Sequence, residues 1–357
     1  MKIAVFSTKP YDRASFERHN AAFGHELHFF EARLRPDTAA LADGFPGVCV
    51  FVNDRVDCEV IARLAAGGVR IIATRSAGYN QIDLEAADRH GIVVARVPAY
   101  SPNAVSEFTV GLILTLGRQI HRAYNRVREH NFELTGLVGF ELRDKTIGII
   151  GTGRIGTATL RNLSGFGARL LAYDVVRNAE AAALAEYVDD VLDLARQSDI
   201  ISLHVPLTPQ TYHLVDEHFL RHVKPGVFLV NTSRGALLET RAVIEALKAG
   251  TIGFLAIDVY EEEEDLFYQD LSNHVIADDV FARLLTFPNV LVTGHQAFLT
   301  DHALRAIAET TLENFREFEQ TGRCTNAVTV DVMRGGEPPV QRVLEIDELL
   351  EILGDDS

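Results

Sequence analysis

Short apolar runs alternate with amphipathic stretches through the first hundred residues. The runs have the length and the β-branched content of strands, and they lie at 1–7, 25–31, 47–53, 69–76 and 91–97. Residues 13–23, 58–66 and 84–90, between some of these runs, have the apolar spacing of helices. Strands that alternate with helices predict a parallel sheet with helices on both faces.

A second region of the same kind extends from residue 146 to about residue 293. Its strand-like runs lie at 146–151, 169–174, 199–205, 227–233, 254–259 and 290–294. The sequence therefore predicts an α/β fold with two doubly wound parallel sheets, of the Rossmann or flavodoxin-like type.

Two helix-like segments connect these regions. The first starts at Tyr100-Ser101-Pro102, where serine can cap a helix and proline can occupy its first position, and it continues to about Glu129. The second, residues 301–319, comes too late to begin another sheet, so we expect it to pack on the first region. We thus predict one domain of residues 1–100 and 299–330, interrupted by a second domain of residues 101–298, with crossings near Tyr100 and Phe298. Residues 331–357 form an acidic tail without an assigned function.

Composition and net charge exclude some classes of protein and partner. A chain of 357 residues with 47% hydrophobic residues can bury two cores. The net charge of −16 argues against nucleic acid and anionic membranes as partners. Three cysteines without a CxxC pair favour a reducing, cytoplasmic location. The N-terminal run MKIAVFSTKP is typical of a strand and not of a signal peptide, and no metal site is predicted.

A glycine-rich loop provides the first chemical signal. Gly151, Gly153 and Gly156 follow one strand and open a helix, and the next strand ends at Asp174. These glycines would allow a tight turn, approach to a pyrophosphate, and close packing of helix and strand. Asp174 could accept from ribose hydroxyls and repel the 2′-phosphate of NADP, although Arg177 nearby makes the preference for NAD incomplete. The alternative is a structural turn with a solvent-facing aspartate.

Three further signals lie at or just beyond the ends of later strands. Arg234 follows one strand, Asp258 and four glutamates follow the next, and His295 lies two residues beyond the last. Each signal also has an interpretation without a catalytic role. Arg234 could be a surface arginine, the glutamates a solvated run of charge, and His295 a structural histidine. Together they suit reduction of a 2-keto acid, which needs a cation for the carboxylate, a proton donor for the carbonyl oxygen, and a hydride source. The residues alone do not choose among the four glutamates.

The motifs GTGRIG with Asp174, NTSRG, DVYEEE and GHQAF, in this order, resemble the D-isomer-specific 2-hydroxyacid dehydrogenases over residues 1–326. Segments such as RVPAYSPNAV and SLHVPLTPQTYHL are similar to the bacterial, fermentative D-lactate dehydrogenases within that family. The resemblance implies an NAD-dependent enzyme that reduces pyruvate to D-lactate, and a homodimer or homotetramer. Another 2-keto acid (glyoxylate, hydroxypyruvate or 2-ketobutyrate) and a non-enzymatic NAD-sensing corepressor are the alternatives.

The resemblance also implies roles for individual residues. Arg234 would bind the substrate carboxylate, Glu263 would pair with the histidine, and His295 would be the acid–base residue, which leaves the other three glutamates as bystanders. Cofactor contacts would come from Gly151, Gly153, Arg154, Ile155, Gly156, Asp174, Val205, Pro206, Thr211, Thr232, Ser233 and Asp258. Substrate contacts would come from Ala77, Gly78, Tyr100, Arg234 and Phe298. The family commonly has Glu-His where this chain has Glu107-Phe108, and we expect a change of packing there without loss of activity.

Overall fold

Strands and helices alternate along residues 1–330, which are the residues that the structure, a computed structural model, describes. The predicted acidic tail, residues 331–357, lies outside the described residues. The described chain divides into two units, one formed by Met1–Tyr100 with residues 304–330, the other by Ser101–Ala303. The second division therefore falls a few residues later than the position predicted near Phe298, because backbone hydrogen bonds from Leu299 to Gln296 and from Thr300 to Phe298 continue the preceding segment.

The first unit contains a five-stranded parallel sheet. Its strands are β1 (Lys2–Val5), β2 (Glu26–Phe29), β3 (Gly47–Val50), β4 (Ile71–Thr74) and β5 (Val93–Ala95), and its helices include α1 (Pro10–His19), α2 (Cys58–Ala66) and α3 (Leu84–Arg89). The strand order is β2-β1-β3-β4-β5. All five strands predicted for this region are present, and the order is that of flavodoxin-like sheets.

The second unit contains a seven-stranded parallel sheet. In chain order its elements are α4 (Pro102–Gly117), α5 (Ile120–Arg128), β6 (Thr146–Ile150), α6 (Arg154–Ser164), β7 (Arg169–Tyr173), α7 (Ala179–Ala182), β8 (Glu186–Tyr187), α8 (Val191–Gln197), β9 (Ile200–Leu203), α9 (Glu217–Leu220), β10 (Val227–Asn231), α10 (Thr240–Ala249), β11 (Ile252–Ile257), α11 (Asp279–Leu285) and β12 (Val290–Val292). The order β12-β11-β10-β9-β6-β7-β8 reverses between β6 and β9. This is the Rossmann arrangement, in which ligands bind outside the carboxyl ends of the strands at the reversal.

Each sheet is covered on both faces, as the alternation of strands and helices predicts. In β1, Ala4 belongs to one apolar cluster and Ile3 and Val5 to the other. The helix α12 (Asp301–Thr321) covers the second of these faces with residues that include Leu312 and Phe315. The expectation that the last helix packs on the first sheet is therefore confirmed.

The prediction of one continuous helix from Tyr100 to about Glu129 is wrong. It is interrupted between α4 and α5, where Gln119 adopts a left-handed conformation with φ of 55°. The amide nitrogen of the buried Gln119 side chain donates to the Leu116 carbonyl at 3.2 Å, which stabilises the break. Apolar periodicity continues across such a break, because the helices on each side still need an apolar face. Phe108, on α4, packs against the apolar core of the unit; the change of packing relative to the family stays a prediction.

Candidate active site

The turn after β6 requires glycine at two positions. Gly151 has φ of 96°, and its amide donates to the Tyr173 carbonyl at 2.8 Å. A Cβ at Gly151 would overlap the His204 carbonyl, and a Cβ at Gly156 would overlap the Gly151 carbonyl oxygen. Side chains at these positions would force α6 away from β6 and β9, so both glycines are needed for the close packing of helix and sheet.

Gly153 differs from these two glycines, because space lies open beside it. It is the N-cap of α6, and no atom of the described residues comes within 4 Å of a Cβ placed on it. A cavity of about 520 Å³ lies here, lined by residues that include Asn103, Arg154 and Arg161. Arg161 forms an ion pair with Glu180, which lines the same cavity. The exposed backbone amides of a helix start, together with Arg154, suit an anion, so the site fits the pyrophosphate of a dinucleotide. Ile155 lies beside Arg154 in the same first turn.

Asp174 follows the next strand, β7, and holds the glycine loop in place. Its Oδ2 accepts from the Thr152 amide at 2.5 Å and from the Thr152 hydroxyl at 3.1 Å, and its Oδ1 accepts from the Val176 amide at 3.1 Å. Arg177 forms an ion pair with Asp189. The arginine that could favour NADP is thus engaged by a carboxylate of its own unit.

The segment after β9 contains three predicted cofactor residues. Val205 lies close to Gly151, since a Cβ on that glycine would also contact its side chain. The hydroxyl of Thr211 donates to the Pro206 carbonyl at 2.6 Å and accepts from the Thr208 amide at 2.8 Å. Thr211 therefore shapes the turn that carries Val205 and Pro206.

His204, at the end of β9, was not among the predicted residues. Burial lowers its pKa to about 4, so the imidazole is neutral near neutral pH. Its Nε2 lies 2.9 Å from the Ser202 hydroxyl oxygen. A neutral ring adds no charge beside the glycine loop.

Arg234 follows β10 in a loop that is fixed by its own polar groups. The Asn231 side chain donates to the Arg234 carbonyl at 2.8 Å and accepts from the Ser233 amide at 3.0 Å. The Thr232 hydroxyl lies 2.9 Å from that of Thr109 on α4. The guanidinium donates to the Ser233 carbonyl at 2.6 Å and is half-buried. This loop orients Arg234 before any ligand binds.

His295 and Glu263 form a close pair. The Nδ1 atom of His295 lies 2.7 Å from Oε1 of Glu263, and the two side chains are only 16% and 23% exposed. The other carboxylate oxygen of Glu263 accepts from the Tyr260 amide at 2.9 Å. His295 has φ of 53°, and its carbonyl accepts from the Tyr268 hydroxyl at 3.2 Å. The imidazole is therefore oriented both through its ring and through its backbone.

The four successive glutamates have different surroundings in the structure. Glu262 and Glu264 are exposed, while Glu263 pairs with His295. Glu261, expected to be a bystander, has its Oε1 2.5 Å from Nε2 of His213. The sequence of the run does not indicate which glutamates are paired, because their partners are histidines far away in the chain.

Asp258 is completely buried at the end of β11. Its carboxylate accepts from the Thr293 hydroxyl at 2.6 Å and from the amides of Gln296 and Ala297 at 2.9 and 2.8 Å. Burial raises its pKa, and these hydrogen bonds, together with the nearby His295, oppose the rise. The contact of Asp258 with nicotinamide, which the resemblance implies, stays a prediction. The structure does show that Asp258 hydrogen-bonds to residues on both sides of His295.

The remaining predicted substrate residues are divided between the two units. In the first unit the Gly78 carbonyl accepts from the Ser76 hydroxyl at 2.7 Å, and the Ala77 carbonyl accepts from Arg96 at 3.3 Å. Tyr100 ends the first part of that unit, and Phe298 is buried in the second. Their contact with a substrate stays a prediction.

Two other classes of site are absent from residues 1–330. Within this range no group of three or more histidine, cysteine, aspartate or glutamate side chains is arranged to hold a metal ion. No helix in the same range is long and apolar enough to cross a membrane.

Comparison with known proteins gives consistent matches. Residues 110–297 match the model of the NAD-binding domain of D-isomer-specific 2-hydroxyacid dehydrogenases. The D-lactate dehydrogenase of Escherichia coli K12 is 53% identical over 327 residues, 91% of this chain and 99% of that protein. The apo structure of the E. coli enzyme superimposes with a TM-score of 0.84 at 50% identity, covering 92% of this chain and all of that one. The Aquifex aeolicus D-lactate dehydrogenase complexed with NAD and lactic acid gives 0.80 at 32% identity, covering 91% and 98%.

Two substitutions in the glycine loop should differ in their effect on stability, while both weaken NADH binding. We expect Gly156→Ala to destabilise the protein by about 1–3 kcal/mol, the usual range for overpacking, and to weaken NADH binding, because its methyl group overlaps the Gly151 carbonyl. Gly153→Ala should destabilise the protein less, through the loss of a preferred N-cap residue alone, but it should also weaken NADH binding, because its methyl group enters the open space at the start of α6. Thermal unfolding and NADH fluorescence titration measure the two effects.

Gly165→Ala is the matched control on the same helix. Its φ is −65° and the added Cβ would lie 3.8 Å from the Asn162 carbonyl oxygen, an ordinary contact. It should leave both stability and binding unchanged. Wild-type NADH affinity in Gly153→Ala would contradict the placement of the pyrophosphate at this helix start.

Proposed function

The chain belongs to the family of D-isomer-specific 2-hydroxyacid dehydrogenases, and we propose that within this family it reduces pyruvate to D-lactate with NADH and catalyses the reverse reaction. The observation that carries the proposal is the pair of His295 and Glu263 at 2.7 Å. Arg234 belongs to the same unit and follows β10, which is the neighbour of β11 in the sheet. The unit thus supplies both an acid–base group and a carboxylate-binding cation.

Arg234 is the proposed binding group for the substrate carboxylate. A guanidinium presents a planar fork that matches the two oxygens of a carboxylate, and a charged hydrogen bond of this kind is stronger than a neutral one. One nitrogen already donates to the Ser233 carbonyl, which limits rotation of the group. The arginine therefore loses less freedom when the keto acid binds.

His295 is the proposed proton donor. Because Nδ1 is engaged by Glu263, Nε2 is the ring nitrogen that would give its proton to the carbonyl oxygen and take it back in lactate oxidation. Glu263 stabilises the protonated ring and keeps it in one orientation. The bound nicotinamide supplies the hydride.

The cofactor-binding part of the proposal is supported by the local structure of the Rossmann unit. Gly151, Gly153 and Gly156, with Arg154 and Ile155, would hold the pyrophosphate, and Asp174 would bind the ribose. Further contacts are proposed for Val205, Pro206, Thr211, Thr232, Ser233 and Asp258. For the substrate we propose Ala77, Gly78, Tyr100 and Phe298 in addition to Arg234.

Self-association is part of the same proposal. Side chains of α5 and the segment that follows it expose large apolar areas: Ile120 52%, Tyr124 60%, Val127 50%, Phe132 70%, Leu134 75% and Val138 89%. Apolar patches of this kind on a soluble surface mark interfaces. We propose that this segment associates with a second copy, giving a homodimer or a dimer of dimers. A cytoplasmic location completes the proposal, supported by three cysteines that are all free.

The direct test is NADH oxidation with pyruvate, followed by chiral analysis of the lactate. We expect D-lactate from the wild-type protein and a rate reduced by about 10²–10⁴-fold in His295→Gln, the usual contribution of a general acid. His218→Gln, at an exposed histidine of the same unit, is the control. Faster turnover of glyoxylate, hydroxypyruvate or 2-ketobutyrate would contradict pyruvate as the substrate.

Arg234→Gln tests the carboxylate site separately. Loss of one partner from a desolvated charge pair costs about 2–5 kcal/mol, which corresponds to a reduction of kcat/KM by ~30-fold to several thousand-fold. The KM for pyruvate should rise while the affinity for NADH stays unchanged, because the glycine loop is separate. Arg196→Gln, at an exposed arginine that pairs with Asp193, is the control. Wild-type kinetics in Arg234→Gln would refute this role.

The interface is tested by light scattering on the combined variant Phe132→Ser, Val138→Asp. We expect the wild-type protein to have the mass of two or four chains and the variant to shift towards the monomer, since a buried aspartate opposes association. Val175→Ser is the control, because Val175 is 89% exposed on a different segment of the unit. An unchanged mass for the combined variant would place the interface elsewhere.

A further inference from the structure

A second histidine–carboxylate pair lies in the Rossmann unit. Nε2 of His213 is 2.5 Å from Oε1 of Glu261, and the two side chains are 26% and 20% exposed. The other oxygen of Glu261 accepts from the Thr240 hydroxyl at 3.0 Å. Both oxygens of the carboxylate are therefore engaged, unlike those of a mobile pair on an open surface.

His213 attaches this pair to the segment that follows Arg234. Its amide donates to the Ala236 carbonyl at 2.9 Å, and two residues later the Val215 amide donates to the Leu237 carbonyl at 3.0 Å. His213 has φ of 51°, a left-handed conformation that is costly for a residue with a side chain. Such a conformation persists where the surrounding contacts determine it. The ring position is thus imposed by the neighbouring loop.

Glu261 attaches the same pair to the loop of the acid–base residues. The backbone of Gly235 lies directly against the peptide between Tyr260 and Glu261, since a Cβ on Gly235 would overlap that peptide. The Tyr260 amide donates to Glu263 at 2.9 Å, and Glu263 binds His295 at 2.7 Å. The arginine loop and the loop that orients the histidine therefore meet at this peptide.

We propose that His213 and Glu261 are positioning residues, which fix the loop of Arg234 against the loop of Glu263 and so set the carboxylate-binding cation relative to the proton donor. Neither is a catalytic residue, and the inference rests on the proposed function. Van der Waals contact at Gly235 keeps the loops from approaching further, and the hydrogen bond between His213 and Glu261 keeps them from separating. Displacement of a reacting group by about 1 Å can cost 10²-fold in rate, so a clamp at this contact has a kinetic consequence.

The test compares His213→Ala and His213→Gln in steady-state pyruvate reduction. His213→Ala should lower kcat/KM by ~10- to 100-fold, with a higher KM for pyruvate and a lower kcat, because both loops lose their relative position. The number of NADH sites should stay unchanged, and NADH affinity should change much less than the KM for pyruvate, since the glycine loop is not part of the clamp. His213→Gln should restore most of the activity, because its amide nitrogen can donate to Glu261. Glu261→Ala combined with His213→Ala should be no worse than either alone.

His218→Ala, at the exposed histidine on α9, is the matched control. A fall in kcat that merely follows a loss of NADH sites would indicate damaged folding and overturn the inference, as would unchanged kinetics in His213→Ala or the absence of rescue by glutamine. An inactive wild-type protein would overturn the proposed function together with this inference. An active wild-type protein with an unaffected His213→Ala would overturn the inference alone.

Discussion

The buried carboxylate of Asp258 is the constraint on which the site depends. It has no exposure, and it accepts hydrogen bonds from the Thr293 hydroxyl and from the amides of Gln296 and Ala297. A buried carboxylate is tolerated only when such donors surround it, so the chain after β12 is required to return to the end of β11. His295 lies between these anchored residues and takes a left-handed conformation there. Its ring then reaches Glu263, which is five residues beyond Asp258 on the same loop.

Sheet topology explains why the other parts of the site lie near this anchor. Strands β10, β11 and β12 are consecutive in the chain and adjacent in the sheet, and all are parallel. Their carboxyl ends therefore lie at one edge, which brings the loops of Arg234, Glu263 and His295 together. The glycine loop follows β6 at the same edge, beside the reversal of strand order, which is where dinucleotides bind in this fold. The positions of the glycine loop and of the pair of His295 and Glu263 thus follow from a single arrangement of strands.

The features that the sequence could predict are those determined by residues close together in the chain. Apolar runs locate the strands of both sheets other than β8, and the glycine pattern locates the phosphate loop. Two of the reasons for glycine there are local, the positive φ of Gly151 and the contact of Gly156 with the Gly151 carbonyl, whereas the His204 carbonyl that also excludes a side chain at Gly151 lies beyond β9. The break at Gln119, the two-residue strand β8 and the hydrogen bonds of Asp258 have no such local signal. The partner of Glu261 lies 48 residues away, so no spacing within the acidic run could identify it. Resemblance to a family selected Glu263, which the residues alone left equal to three others.

The acidic run itself shows how the two histidine pairs depend on each other. Five successive carboxylates, at 261–265, repel one another, and the 3₁₀ turn over Glu263–Asp265 brings the last three closer than an extended chain would. Glu261 and Glu263 each bind a histidine, while Glu262 and Glu264 are exposed. Because the two paired glutamates are separated by a single residue, a shift of the loop that improved one pair would disturb the other. In the observed arrangement both histidines are paired, and Glu263 lies on His295.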